Sequence, residues 1–304
     1  MEAEVQTSVL DPPVRLSRDA IVRLRAHPGF SRAMIASARG SVDLHRNSRI
    51  MNWMLSDRAR ALLPYVVFYL DATSRADDPR SGLTVSRAKA LCAETGICSP
   101  GRAAAFMALL RFGGFVVPAP ASVDRRVKRL VPSERLKVVQ RERLARQFDA
   151  IAMVIPEVAD ALSMLDDAAF ERAFWLYMGE QFIGGARVLD YADLGLFAER
   201  HAGMVILFSL MLAGSLDAAT LPVGPVVTPL AEIARRFQVS RTHVLRLLRD
   251  AEAAGFIARD ESSDRLRFLP PLVEKLQNMF AAIFLFMGGN ARRAVADVTA
   301  ARRG

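Results

Sequence analysis

The sequence predicts a mainly α-helical chain of two similar units in tandem, each closing with a short two-stranded ribbon. Three observations carry this. Apolar residues recur at helical spacing through most of the chain, landmarks repeat at a spacing of about 141 residues, and each repeat ends in two short stretches flanking turn-forming residues. Ser99 begins a segment ending in Gly114-Phe115, and Ser240 begins one ending in Gly255-Phe256. Upstream, Phe30-Ser-Arg-Ala-Met34 reappears as Phe170-Glu-Arg-Ala-Phe174, and the apolar run from Leu62 to Leu70 reappears as Gly203 to Met211. Downstream, Arg129-Leu-Val-Pro132 answers Arg267-Phe-Leu-Pro270. The landmarks keep their order, so the units are placed at residues 15–155 and 156–304.

Each ribbon follows two short helices. In the second unit, Phe256-Ile-Ala-Arg259 and Arg265-Leu-Arg-Phe-Leu269 flank Asp260 to Asp264. In the first, Phe115-Val-Val117 and Arg126 to Val131 flank the longer tip from Pro118 to Asp124. The clearest helix pair lies between Thr228 and Gly255. Leu230, Ile233, Ala234 and Phe237 form the apolar stripe of one helix, and Val239 closes the turn. Ser240 offers its hydroxyl as N-cap of a second helix, whose Val244, Leu247, Leu248 and Ala251 pack back on the first. Ala234 is small where the two helices cross.

The pattern Leu-x-x-Ile-Ala-x-x-Phe-x-Val-Ser-Arg-x-x-Val-x-Arg-x-Leu, from Leu230 to Leu248, resembles the helix-turn-helix of bacterial transcription regulators. With the ribbon and flanking helices, each unit is similar in size and order of elements to a MarR-type winged-helix subunit. Gln238 departs from the pattern, standing where many such turns carry glycine. The resemblance implies a mainly α fold of two tandem winged helix-turn-helix units, with helical flanks, small β-ribbon wings and a pseudo-two-fold arrangement. It also implies binding to double-stranded DNA, transcription regulation, and a small-molecule effector cavity between the terminal helices and each winged unit. Family subunits pair through terminal helices, so the fused chain is expected to be a monomeric pseudo-dimer, with a homodimer as the alternative. The apolar stretches Leu62 to Leu70, Met204 to Leu212 and Phe280 to Met287 are candidates for the shared core. Two units one helical turn apart would contact half-sites about 10 base pairs apart.

Helical geometry names the groove-facing side chains. At about 100° per residue from a core direction set by Val244 and Leu248, Thr242, Arg246 and Arg249 point outward. Arg241 and His243 lie to the sides near the helix start, beside the Ser240 cap. The positions matching Thr242, Arg246 and Arg249 in the first unit are Gly101, Ala105 and Ala108, which cannot read bases by hydrogen bonding. That unit's wing instead carries Arg125, Arg126, Lys128 and Arg129, whereas the second wing mixes Asp260, Glu261 and Asp264 with Arg265 and Arg267. The second unit is therefore expected to read sequence. The first is expected to anchor phosphates through its wing and Arg102.

Charge agrees with a polyanionic partner. The chain carries a net +9, but residues 15–155 hold 25 Lys and Arg against 11 Asp and Glu, while residues 156–304 hold 16 against 18. Only four of the 41 basic residues are lysines, so an arginine-rich proteome is the competing explanation. The first ten residues lack the charged start and apolar run of a signal peptide, which leads us to expect a cytoplasmic chain. From Met204 to Val227 the only formal charge is Asp217, yet Gly214, Pro222, Gly224 and Pro225 interrupt the run. The uninterrupted part falls short of the roughly 20 residues a bilayer needs, so it reads as a core helix and no membrane association is expected.

Catalysis and metal binding find little support. Cys92 and Cys98 have no second pair, and His27, His45, His201 and His243 are scattered. By the repeat offset Cys92 matches Ile233 and Cys98 matches Val239, so both read as small buried hydrophobes. Ser86-x-x-Lys89 is a chance-level match, Asp166-Asp167 reads as a helix start, and no glycine-rich phosphate loop is present. No cofactor, metal or enzymatic activity is expected. Two rival functions remain: a plasmid-type replication initiator with paired winged helices, and a scaffold whose winged helices bind proteins rather than DNA.

Overall fold

The computed structural model describes residues 16–44, 57–75, 77–78, 80–120, 128–184, 193–214, 225–260 and 264–304. The chain is mainly helical with small antiparallel sheets. The first half runs α1 (Arg18–Arg25), α2 (Phe30–Asp43), α3 (Arg58–Ala72), α4 (Val85–Glu94), α5 (Pro100–Phe112), β1 (Val116–Pro118), β2 (Leu130–Pro132) and α6 (Glu134–Ala152). After a 3-10 turn at Pro156–Val158 come α7 (Ala159–Ser163), α8 (Ala168–Ile183), α9 (Gly195–Ala198), α10 (Gly203–Ala213) and β3 (Val226–Val227). Then follow α11 (Leu230–Phe237), α12 (Arg241–Ala253), β4 (Ile257–Asp260), β5 (Arg265–Phe268) and α13 (Pro270–Ala301).

Local chemistry sets many helix starts. The side chains of Ser17, Asp57, Thr84, Ser99, Ser133, Asp167 and Ser240 each accept a hydrogen bond from a first-turn backbone N–H. Asp167 takes two, from Ala169 and Phe170, and these hold its carboxyl below the usual range, aided by Arg302. Helix α10 is apolar around nearly its whole circumference, which suits a helix buried on most sides. Among the described residues no helix is long and apolar enough to cross a membrane.

Packing ties the halves together reciprocally. Within each half the second helix packs on the last, α2 on α6 and α8 on α13. Between halves, α2 packs on α10 while α8 packs on α3, and α1 packs on α13 while α7 packs on α6. The aromatic core repeats the exchange: Phe30 meets Phe284 edge-on at 6.0 Å, and Phe170 meets Phe148 edge-on at 6.4 Å. The α3–α8 crossing depends on Gly179, because a Cβ there would stand 2.0 Å from the Tyr69 ring. The apolar stretches in α3, α10 and α13 therefore all contribute to a core built from both halves.

Two details of the repeat differ from the sequence reading. Between the left-handed residue and the Ser cap, the first half has Ile97 and Cys98 where the second has only Val239. The longer turn moves Cys92 onto the position of Ala234, another small buried side chain. In the ribbons, Ser133 N–H donates to the Phe115 carbonyl and Leu269 N–H to that of Phe256. Leu130 thus matches Leu266 rather than Phe268. The offset error is two residues, which leaves each side chain on the same face of the strand.

The second ribbon is also larger than expected. Val226 of β3 pairs with Leu266, making a three-stranded sheet in the order β3-β5-β4. In the first half the equivalent contact is a single bridge between Leu83 and Leu130 beside the β1–β2 pair.

Candidate nucleic-acid interface

The second-half helix pair is built as its residue pattern requires. Ile233, Ala234 and Phe237 of α11 are buried, as are Val244, Leu247, Leu248 and Ala251 of α12. Between the helices Gln238 adopts the left-handed conformation, with φ 56° and ψ 42°, which is the geometry glycine usually supplies. The Ser240 hydroxyl accepts the His243 N–H at 3.0 Å. On the outer side Arg241, Thr242, Arg246 and Arg249 are exposed. Among the described residues none of the three arginines forms an ion pair. Such a face offers three free cations and a hydroxyl along one side of a helix.

His243 is different. Its ring Nε2 lies 2.8 Å from the carbonyl oxygen of His201, just before α10, so this side chain is engaged within the chain. Burial, with Arg60 nearby, holds the His201 imidazole below its ordinary range. Two turns further along α12, Asp250 receives Arg200 at 2.7 Å. These two contacts fix the helix to the corner that precedes α10.

The neighbouring sheet adds Arg265 and Arg267, exposed on β5 while Leu266 and Phe268 point inward. Thr228 ties the hairpin tip to the start of α11, donating through both its N–H and its hydroxyl to the Asp264 carbonyl, at 2.8 and 2.6 Å. Arg235 on α11 is also exposed and unpaired among the described residues. The sequence reading passed over it; its signal was its place opposite the Ile233–Phe237 stripe.

In the first half, Ala103, Phe106, Met107 and Leu110 bury the same side of α5 that Val244, Leu247, Leu248 and Ala251 bury on α12. The exposed side holds Gly101, Ala105 and Ala108, continued by Leu109 and by Phe112 at 93% exposure. Arg102 does not stand free: it pairs with Asp57, the α3 cap, at 2.8 Å. Arg102 thus tethers α5 to the start of α3, as His243 tethers α12 to the start of α10.

The basic wing is only partly in view. Arg125 and Arg126 lie outside the described residues. Lys128 is exposed, whereas Arg129 turns inward to donate to the Ser74 hydroxyl at 3.0 Å, with its Nε buried and unpartnered. Phosphate anchoring by Arg129 and Arg102 would require them to leave these partners.

The remaining reactive groups sit as packing residues. Cys92 is buried and its thiol is pushed up to about 12, chiefly by desolvation; Cys98 is half-buried and raised for the same reason. No group of three or more His, Cys, Asp or Glu able to hold a metal occurs among the described residues. Comparison of the chain with family models, curated proteins and solved structures finds no match in any of the three.

Proposed function

We propose that this chain is a sequence-specific DNA-binding transcription regulator, made of two fused winged helix-turn-helix units that act as a pseudo-dimer within one chain. The observation that carries the reading is the α12 face: Arg241, Thr242, Arg246 and Arg249 are exposed, and the arginines have no ion pair among the described residues, on a capped helix held from behind by its apolar side. A helix presented in this way fits a major groove. Arg265 and Arg267, exposed on the three-stranded sheet beside it, support phosphate contacts by that wing, and the exposed Arg235 adds to the cationic surface. The reciprocal packing of the halves supports the pseudo-dimer.

In this division of labour the second unit reads bases and the first contributes phosphate contacts, led by Lys128 and the Arg125-Arg126 segment. The exposed Leu109 and Phe112 on α5 favour a second reading for that helix alone, as a protein-binding face. A small-molecule effector and cytoplasmic location belong to the same proposal. A replication initiator with the same surface would differ in its targets, binding iterated origin repeats rather than one operator.

The test is selection of bound duplexes from a random-sequence pool, followed by titrations at several salt concentrations. Wild type is expected to enrich a motif. Arg246→Ala should relax preference at one or two base positions, at a cost of about 1–3 kcal/mol. Alanine at Arg125, Arg126, Lys128 and Arg129 together should weaken all sequences alike and flatten the salt dependence, by up to about 0.9 in slope for each phosphate that is no longer neutralised. Failure of folded wild type to enrich any motif would sink the proposal, and equal loss of preference in both variants would sink the division of labour.

A further inference from the structure

A cavity of about 270 Å³ lies between the halves, just below the size range of drug-sized binding sites. Its walls include corresponding positions of α6 and α13. The Ser133/Leu269 correspondence fixes an offset of 136 residues between these helices, so Arg143 is matched by Met279 and Gln147 by Ile283. All four line the cavity.

The two walls have diverged. On the α6 side Gln147 accepts the Ser37 hydroxyl at 2.6 Å, and Arg143 lies with its guanidinium 5.1 Å from the Tyr65 ring centre. Arg143 Nη1 is buried with no hydrogen-bond partner, and among the described residues no carboxylate lies within ion-pair distance of the guanidinium. On the α13 side the wall is Met279, Ile283, Phe286 and Met287. An identical pair of subunits would present two equal walls; the fused chain presents one cationic wall and one apolar wall.

We propose that this cavity binds one amphipathic anion per chain, a small molecule with an apolar body and a single carboxylate. Its carboxylate completes the Arg143 guanidinium, a charge-assisted pairing favoured where water is scarce. Its apolar body lies along Met279, Ile283 and Phe286. Asp57 and Arg200, which also line the cavity, hold α5 through Arg102 and α12 through Asp250, so occupancy reaches both outward helices. As regulation of DNA binding this rests on the function proposed above. The binding event does not, so direct titration separates the two failures.

The test is calorimetric titration of the full chain, without DNA, using sodium octanoate, 1-octanol and octylammonium. Octanoate is expected to bind at one site per chain, about tenfold or more tighter than 1-octanol, with octylammonium weakest. Arg143→Met, which copies the opposite wall, should abolish the preference for octanoate while leaving octanol binding within about twofold. Arg143→Lys should keep the preference, so a poorly folded methionine variant does not decide the matter. Ile283→Trp should weaken octanoate and octanol together by filling the apolar side. Equal affinity of wild type for octanoate and octanol, two octanoates per chain, or no binding by the folded chain overturns the proposal.

Discussion

Helices α5 and α12 bury four matching positions each, are capped by a serine, and follow a turn containing a left-handed residue, yet they face outward with opposite chemistry. Alpha12 shows arginines and a threonine; α5 shows glycine, alanines, Leu109 and Phe112. The inward side of each helix is held by the shared core, where losing a buried side chain costs several kcal/mol. The outward side is under no such constraint. Two similar helix pairs can therefore keep a common scaffold while their outer surfaces differ, and a comparable divergence appears at the cavity, where Arg143 corresponds to Met279.

The halves differ inside as well, and this gives the largest stability effect. Alpha10 has no ionisable side chain, whereas α3 ends with Asp71, whose carboxyl is pushed up from 3.8 to about 6. Desolvation is the main cause, with Glu171 adding to it and Lys137 opposing it. A carboxyl with a raised folded pKa binds more protons in the native than in the unfolded chain between these values. Its contribution is therefore most favourable below about pH 4 and is lost as pH rises through about 6. Partial exposure discounts the effect to about 2 kcal/mol. Urea unfolding of Asp71→Asn should show higher stability than wild type near neutral pH and a flatter profile between about pH 4 and 7; an unchanged profile would refute the assignment.

How far this was legible in the sequence follows from the range of each interaction. The α12 face could be read from Ser240 and the spacing of Val244, Leu247, Leu248 and Ala251, because helical periodicity and capping are local. The inward turn of Arg129 depends on Ser74, and the tethers of Arg102 and His243 depend on Asp57 and His201. Those partners stand roughly forty or more residues away, where no local pattern points to them. The matching landmarks could be read from the sequence, but the 141-residue offset hid the extra turn residue after Gly96, and pairing Arg129-Leu-Val-Pro132 with Arg267-Phe-Leu-Pro270 hid the two-residue shift in the ribbon. The shift escaped notice because strand faces recur every two residues.

The caps sharpen the comparison at the next scale. Ser240→Ala and Ser99→Ala each remove one first-turn hydrogen bond, worth about 1 kcal/mol. The loss should be larger at Ser240, whose bond is 3.0 Å against 3.3 Å at Ser99. Pro100 in the first turn of α5 also presets its start, while α12 has no such help. Thermal unfolding of the two variants checks the order, and a greater loss at Ser99 would contradict it.

The smallest effect concerns the turns themselves. Gly96 holds φ 67° without a side-chain penalty, whereas Gln238 holds φ 56° with one. Left-handed backbone costs an L-residue about 1 kcal/mol, so Gln238→Gly relieves strain in the folded state. Glycine also gives the unfolded chain more freedom, which offsets about half of that gain. The net expectation is a stabilisation of about 0.5 kcal/mol for Gln238→Gly and a loss of about 1 kcal/mol for Gly96→Gln. If chemical unfolding shows Gln238→Gly to be clearly destabilising, then the glutamine side chain itself, rather than the backbone shape, holds the turn between α11 and α12.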